Sequence, residues 1–130
     1  MIAIVVDANI IISALLGGKP SIILFDAKFQ FTTSQFTINE VIKYFPKIAK
    51  KLNVPERELL SALNDLPLLT YDRNFYEDKL KSAKEFIGQI DKKDIEILAL
   101  ALKLETPLWS EDKHFEKSAY HKLLKTYNFI

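Results

Sequence analysis

The chain has 130 residues, 48% of them hydrophobic and 27% charged. That is enough apolar mass for one packed core and too little length for two ordinary domains, so residues 1–130 read as one folded unit and disorder is excluded. Eighteen basic against seventeen acidic side chains leave a formal charge of +1, which neither requires nor forbids a polyanionic partner. The lack of cysteine removes disulfides, thiolate metal centres and cysteine nucleophiles together, and is compatible with a reducing cytoplasm.

The chain opens on the apolar run "IAIVV" with no basic region before it, and Asp7 interrupts the run early, which argues against a signal peptide. No stretch approaches the roughly 20 apolar residues of a membrane span. A cytoplasmic protein without membrane attachment is expected. "IAIVV" is apolar on both faces, the pattern of a central parallel strand. "NIIISALL" follows as a helix closed by Gly17 and Gly18, and its apolar face suits a core or a dimer interface equally. Residues 21–28 suggest a second helical segment, and "FQFTTS" a short strand ending in hydroxyls.

From Thr37 a longer helix is expected, with Val41, Phe45, Ile48 and Leu52 forming one buried stripe at spacings of four, three and four. "NVPER" restarts a helix with Pro55 in its first turn, and "LPLLTY" reads as a strand or an extended packing segment. Residues 74–90 suggest a mixed, charged helix, and "DKKDIEILALALKLE" is the most regular helical stretch. "TPLWS" then reads as a strand, and "HKLLKTY" adds a last edge strand. Strands alternating with helices predict a three-layer α/β/α sandwich with a mostly parallel central sheet. In such sheets ligands sit beyond the carboxyl ends of the strands.

That edge collects acids. Asp7 follows the first strand as Asp112 follows "TPLWS", Glu40 comes in the first turn of the helix after "FQF", and Asp91 and Asp94 open the helix that feeds "PLWS". Crossover helices run antiparallel to the strands, so the beginnings of these helices share the strands' carboxyl edge. Clustered carboxylates raise one another's pKa values unless something neutralises them. Hard oxygen donors without nearby sulfur or imidazole suit Mg²⁺ or Mn²⁺, one or two ions of which can activate water and stabilise in-line displacement at a phosphodiester. Asn9 and Ser110 stand beside these acids as polar supports for a ligand water or a substrate.

Each acid also has a structural reading. "TINE" has the form of a capping box with Thr37 as cap and Glu40 reaching back. "DKKD" has the same form, with Asp91 as N-cap and Asp94 three residues on. Asp7 or Asn9 can cap the first helix, and Asp112 can be an ordinary turn acid. Capping does not explain why Asp7 and Asp112 should meet.

"VVDANIIISALL", "TINEV", "DKKDIEILALAL" and "PLWSEDKHF", in that order over nearly the whole chain, resemble the PIN domain, the nuclease fold used by many prokaryotic toxins of the VapC type. The resemblance implies that Asp7, Glu40, Asp94 and Asp112 form the catalytic acidic quartet holding Mg²⁺ or Mn²⁺. Asn9 and Ser110 would support it. Asp91 competes with Asp94 for the third acidic place; Asp94 is preferred because it directly precedes the apolar helix, leaving Asp91 as N-cap or accessory ligand. It further implies endoribonuclease activity on single-stranded or structured RNA, a homodimer, and a small antitoxin that blocks the site. Between Glu40 and Asp91 the sequence carries no motif of the family, and substrate and partner choice are expected to lie in that middle region, including residues 53–90.

"KYFPKIAKK" sets Lys43, Lys47, Lys50 and Lys51 near the acidic edge, where Lys43 and Lys47 are candidates to hold an RNA backbone; the alternative is a solvated helix face. Lys113, beside Asp112, can contact a phosphate or point at solvent. Tyr44 and Phe45 read as core rather than base-stacking residues. His114 and His121 stand singly and read as structural or surface residues. Other functions fit parts of the pattern: a receiver-like Mg²⁺-binding signalling module, which lacks its phosphoacceptor Asp after "FQFTTS"; a dehalogenase-like phosphatase, which needs a carboxylate where Asn9 stands; and a catalytically silent PIN-type binding protein.

Overall fold

A computed structural model describes residues 1–87, 91–116, 120 and 122–130. The chain runs β1 (Ile2–Val6), α1 (Ala8–Leu15), α2 (Pro20–Ile23), β2 (Phe29–Ser34), α3 (Gln35–Lys43), α4 (Phe45–Leu52), α5 (Glu56–Asp65), β3 (Leu68–Tyr71) and α6 (Arg73–Tyr76). A 3₁₀ turn at Glu77–Lys79 leads into α7 (Leu80–Ile87), α8 (Lys92–Leu104), β4 (Leu108–Trp109), α9 (Lys113–Glu116) and β5 (Leu123–Leu124), and a second 3₁₀ turn closes the chain. Among the described residues the sheet is five-stranded and wholly parallel, in the order β3-β2-β1-β4-β5.

β1 is the middle strand, and successive residues point to opposite faces. Ile4 and Val6 enter one core with Phe31, Trp109 and the apolar sides of α1 to α5, while Val5 enters the other with Leu108 and α7 to α9. Both faces of the sheet are covered, as its unbroken apolar run requires. This is the three-layer α/β/α sandwich expected from the strand and helix alternation.

Several local expectations are corrected. Residues 21–28 form no second helix beyond the single turn of α2. The helix expected from Thr37 starts at Gln35, because the Ser34 side chain accepts from Thr37 N at 3.0 Å and takes the N-cap. Thr37 is therefore inside the helix, and Glu40 lies in its second turn rather than in a capping box. α3 and α4 are separate because Pro46 lacks the N–H that would continue α3. Val41, Phe45 and Ile48 are buried as expected, but Leu52 is exposed at the end of α4. Pro55 is the N-cap of α5 rather than part of its first turn. "LPLLTY" contributes a true strand, β3, at the sheet edge. The charged helix expected over 74–90 is divided into α6, the 3₁₀ turn and α7, and its last three residues lie outside the described residues.

Candidate active site

Adjacent parallel strands bring Asp7 and Ser110 together. Val6 pairs with Trp109, so the residues that leave β1 and β4 emerge side by side. Asp7 is buried at the N-cap of α1, where one carboxylate oxygen accepts from Ile10 N at 3.1 Å and the other from Ser110 Oγ. Ser110, fully buried, also accepts from Asp112 N at 3.0 Å. One hydroxyl thus orients the first acid and positions the backbone of the second. Asp7 caps a helix and faces the cleft, so the two readings of it are compatible.

Asp94 is only 4% exposed although it stands in the first turn of α8. Asp91 is the N-cap, accepting from Lys93 N at 3.2 Å, and is exposed outside the cleft. The structure therefore separates the two acids that sequence left in competition. Glu40 projects from the second turn of α3 into the same cleft, held by Lys43 Nζ at 3.0 Å. Asp7, Glu40, Asp94 and Asp112 all line this cleft, with the exposed Asn9 at its edge. Lys43, Lys47 and Lys113 are exposed; among the described contacts only Lys43 pairs with a cleft acid.

Burial pushes the Asp7 carboxyl up to about 6; hydrogen bonds from Ser110 and Ile10 N oppose this, and the charges of Asp112 and Asp94 add to it. Asp94 is also raised, first by burial and then, against the hydrogen bond from His114, by Asp112. The acids are thus gathered with too little positive charge among them to offset desolvation.

Two residues assigned elsewhere by sequence stand at the cleft, His114 against two of its acids and Tyr44 in its lining. His114 is not a lone surface residue: its Nδ1 is 3.1 Å from Asp94 Oδ2 and 3.4 Å from Asp112 Oδ1. Its partner Asp94 is twenty residues away in sequence, so no short motif announces it; the turn that Asp112 caps by accepting from His114 N at 2.9 Å brings the imidazole back. Tyr44 is 39% exposed and lines the cleft, whereas Phe45 is core as expected. The usable signal was helical spacing, since Tyr44 follows Glu40 by four residues. Lys93 lines the cleft as well, a placement that its sequence neighbours do not reveal. His121 lies outside the described residues.

A further buried acid, Glu96, stands two residues after Asp94 but outside the cleft lining. Tyr76 OH donates to it at 2.7 Å and Arg73 Nε at 3.2 Å, tying α8 to α6. Burial and then the bond to Glu96 push the Tyr76 phenol above its ordinary pKa, so it is a donor at neutral pH. Tyr76→Phe leaves one buried carboxylate oxygen without its donor. Chemical denaturation should show a loss of about 1–3 kcal/mol; an unchanged midpoint would mean that the bond contributes nothing to the fold.

Chemically, the cleft offers carboxylate oxygens and one imidazole nitrogen. Asp94, Asp112 and His114 each present a ligand atom within 4.8 Å of the others, a donor set suited to a hard or borderline divalent cation. No helix among the described residues is long and apolar enough to cross a membrane.

Comparison with solved structures finds the same fold elsewhere. A toxin-antitoxin complex from Klebsiella pneumoniae superposes with a TM-score of 0.69 at 20% identity, covering 95% of this chain and 97% of that one. VapBC2 from Rickettsia felis, solved bound to a DNA fragment from its promoter, gives 0.66 at 17% identity, covering 95% and 98%. No curated protein sequence matches. The family model of the PIN domain matches residues 5–125, and the chain belongs to the PIN-domain family.

Proposed function

We propose that this PIN domain is a metal-dependent endoribonuclease, the toxin of a toxin-antitoxin pair, acting as a single domain over residues 1–130. The observation that carries the reading is the convergence of Asp7, Glu40, Asp94 and Asp112 from four separate elements on one cleft at the carboxyl edge of the sheet. The donor set fits Mg²⁺ or Mn²⁺: carboxylate oxygens predominate, no thiolate is present, and the buried acids have too little counter-charge to offset their desolvation. Asp7, Asp94 and Asp112, with Glu40 beside them, would hold the cation, which would supply Lewis acidity toward a phosphodiester and its attacking water.

The chain's own residues do the positioning. Ser110 holds Asp7 and the Asp112 backbone in one arrangement, and Lys43 holds the Glu40 carboxylate. Asn9 stands at the mouth to orient substrate, and Lys93 and Tyr44 form a wall that can meet a phosphate and a base. Exposed Lys43, Lys47 and Lys113 would contact the RNA backbone, which makes binding weaken as salt rises. The similarity to toxin-antitoxin complexes supports a small antitoxin as partner, and a homodimer is part of the same reading. RNA as substrate goes with a role in the cytoplasm. Family membership removes the ground for the receiver-like and phosphatase alternatives.

The test is incubation of purified protein with fluorescent mixed-sequence RNA, and with DNA of the same sequence, in EDTA, Mg²⁺ or Mn²⁺. RNA cleavage that requires a divalent cation is the expected result. Folded protein that cuts neither polymer under any condition would replace this reading with that of a silent binding module.

A further inference from the structure

Resting on the proposed metal site, we infer that His114 is a ligand in it, and that its Nδ1 biases the site toward Mn²⁺ over Mg²⁺. The imidazole is placed for this. Nδ1 stands 3.1 Å from Asp94 Oδ2 and 3.4 Å from Asp112 Oδ1, bridging two acids that would otherwise repel. The three ligand atoms fall within 4.8 Å of one another, close enough to share one ion.

The ring is held as a ligand should be. The His114 backbone N–H donates to Asp112 Oδ1 at 2.9 Å, which sets the two residues in one turn, and the ring itself is held by Asp94 Oδ2. Asp112 is itself fixed through its own N–H to Ser110 Oγ. The imidazole side chain is about half exposed, and coordination through Nδ1 takes the tautomer that carries the proton on Nε2. Mn²⁺ shares the preference of Mg²⁺ for carboxylate and water oxygen, but as a first-row transition ion it accepts a nitrogen ligand more readily than Mg²⁺, which demands oxygen and gives up its waters reluctantly. A nitrogen here therefore contributes to Mn²⁺ affinity and little to Mg²⁺ affinity.

Pulsed electron paramagnetic resonance of Mn²⁺ bound to the intact protein reads the inference without activity. The parent should show ¹⁴N coupling to the ion, and both His114→Ala and His114→Gln should lose it. By calorimetry, His114→Ala should bind Mn²⁺ at least about tenfold more weakly, while Mg²⁺ affinity moves by less than about twofold. His114→Gln returns an oxygen donor in a similar volume and checks that the loss is of nitrogen and not of the turn.

Mn²⁺ bound by the parent without nitrogen coupling would overturn the inference and leave the metal-dependent reading intact, as would equal weakening of both ions in His114→Ala. Failure of the folded parent to bind either ion would overturn both.

Discussion

Asp94→Asn is expected to give a folded protein that cleaves RNA about a thousandfold more slowly or not at all, a loss of several kcal/mol of transition-state stabilisation. The substitution keeps the shape of the side chain and one carbonyl oxygen, so the contact from His114 Nδ1 at 3.1 Å can persist. What it removes is the negative charge of the one cleft acid that α8 contributes, a carboxylate that is nearly fully buried. Because burial already raises the pKa of Asp94, neutralising it relieves desolvation, and the metal-free variant should melt no lower than the parent. Cleavage assays on protein checked by circular dichroism separate the two effects. Activity within tenfold of the parent would remove Asp94 from the catalytic set.

The second large effect is one of stability, and its sign depends on the metal. The Asp7 carboxyl is raised from 3.8 to about 6, mainly by burial. A raised acid makes the folded state bind more protons than the unfolded state, so the parent in EDTA loses stability as pH climbs from about 4 to about 6, then levels off. A shift of this size corresponds to about 3 kcal/mol. Asp7→Asn escapes that cost: its one oxygen can still accept from Ile10 N, and its amide NH₂, standing where the second carboxylate oxygen accepts from Ser110 Oγ, can donate to that hydroxyl instead. In EDTA at pH 8 the variant should therefore be the more stable protein by up to about 3 kcal/mol, with the difference vanishing below about pH 4. With Mn²⁺ at a hundred times its dissociation constant, the parent should gain about 2.7 kcal/mol that the variant does not. A variant less stable than the parent at pH 8 in EDTA would show that the buried carboxylate is adequately satisfied without a cation.

Connectivity made the acidic edge legible before any coordinates. "IAIVV" has the pattern of a strand covered on both faces, and Ile4, Val5 and Val6 are buried in the two cores accordingly. Once β1 and β4 are parallel neighbours, Asp7 and Asp112 must emerge together, and α8 must begin where the strands end. The misreadings came from local patterns with two solutions. Thr37 and Glu40 have the spacing of a capping box, but Ser34 has the same spacing to Thr37 and stands at the strand end, so it takes the cap. That shift of one turn releases Glu40 to the cleft. Pro46 ends α3 before the apolar stripe is complete, which leaves Tyr44 at the cleft and Leu52 in solvent. His114 was hidden because its partner Asp94 is distant in sequence, and Glu96 because an acid in an apolar helix reads as solvent-facing until Tyr76 and Arg73 are found around it.

Crystals of the protein soaked in Mn²⁺ and measured at the manganese absorption edge test most directly whether the acids converge on a cation. An anomalous peak between Asp7, Asp94 and Asp112 is the predicted result. A well-ordered, fully accessible cleft with no peak at saturating Mn²⁺, or a peak only at surface carboxylates such as Asp91, would contradict it.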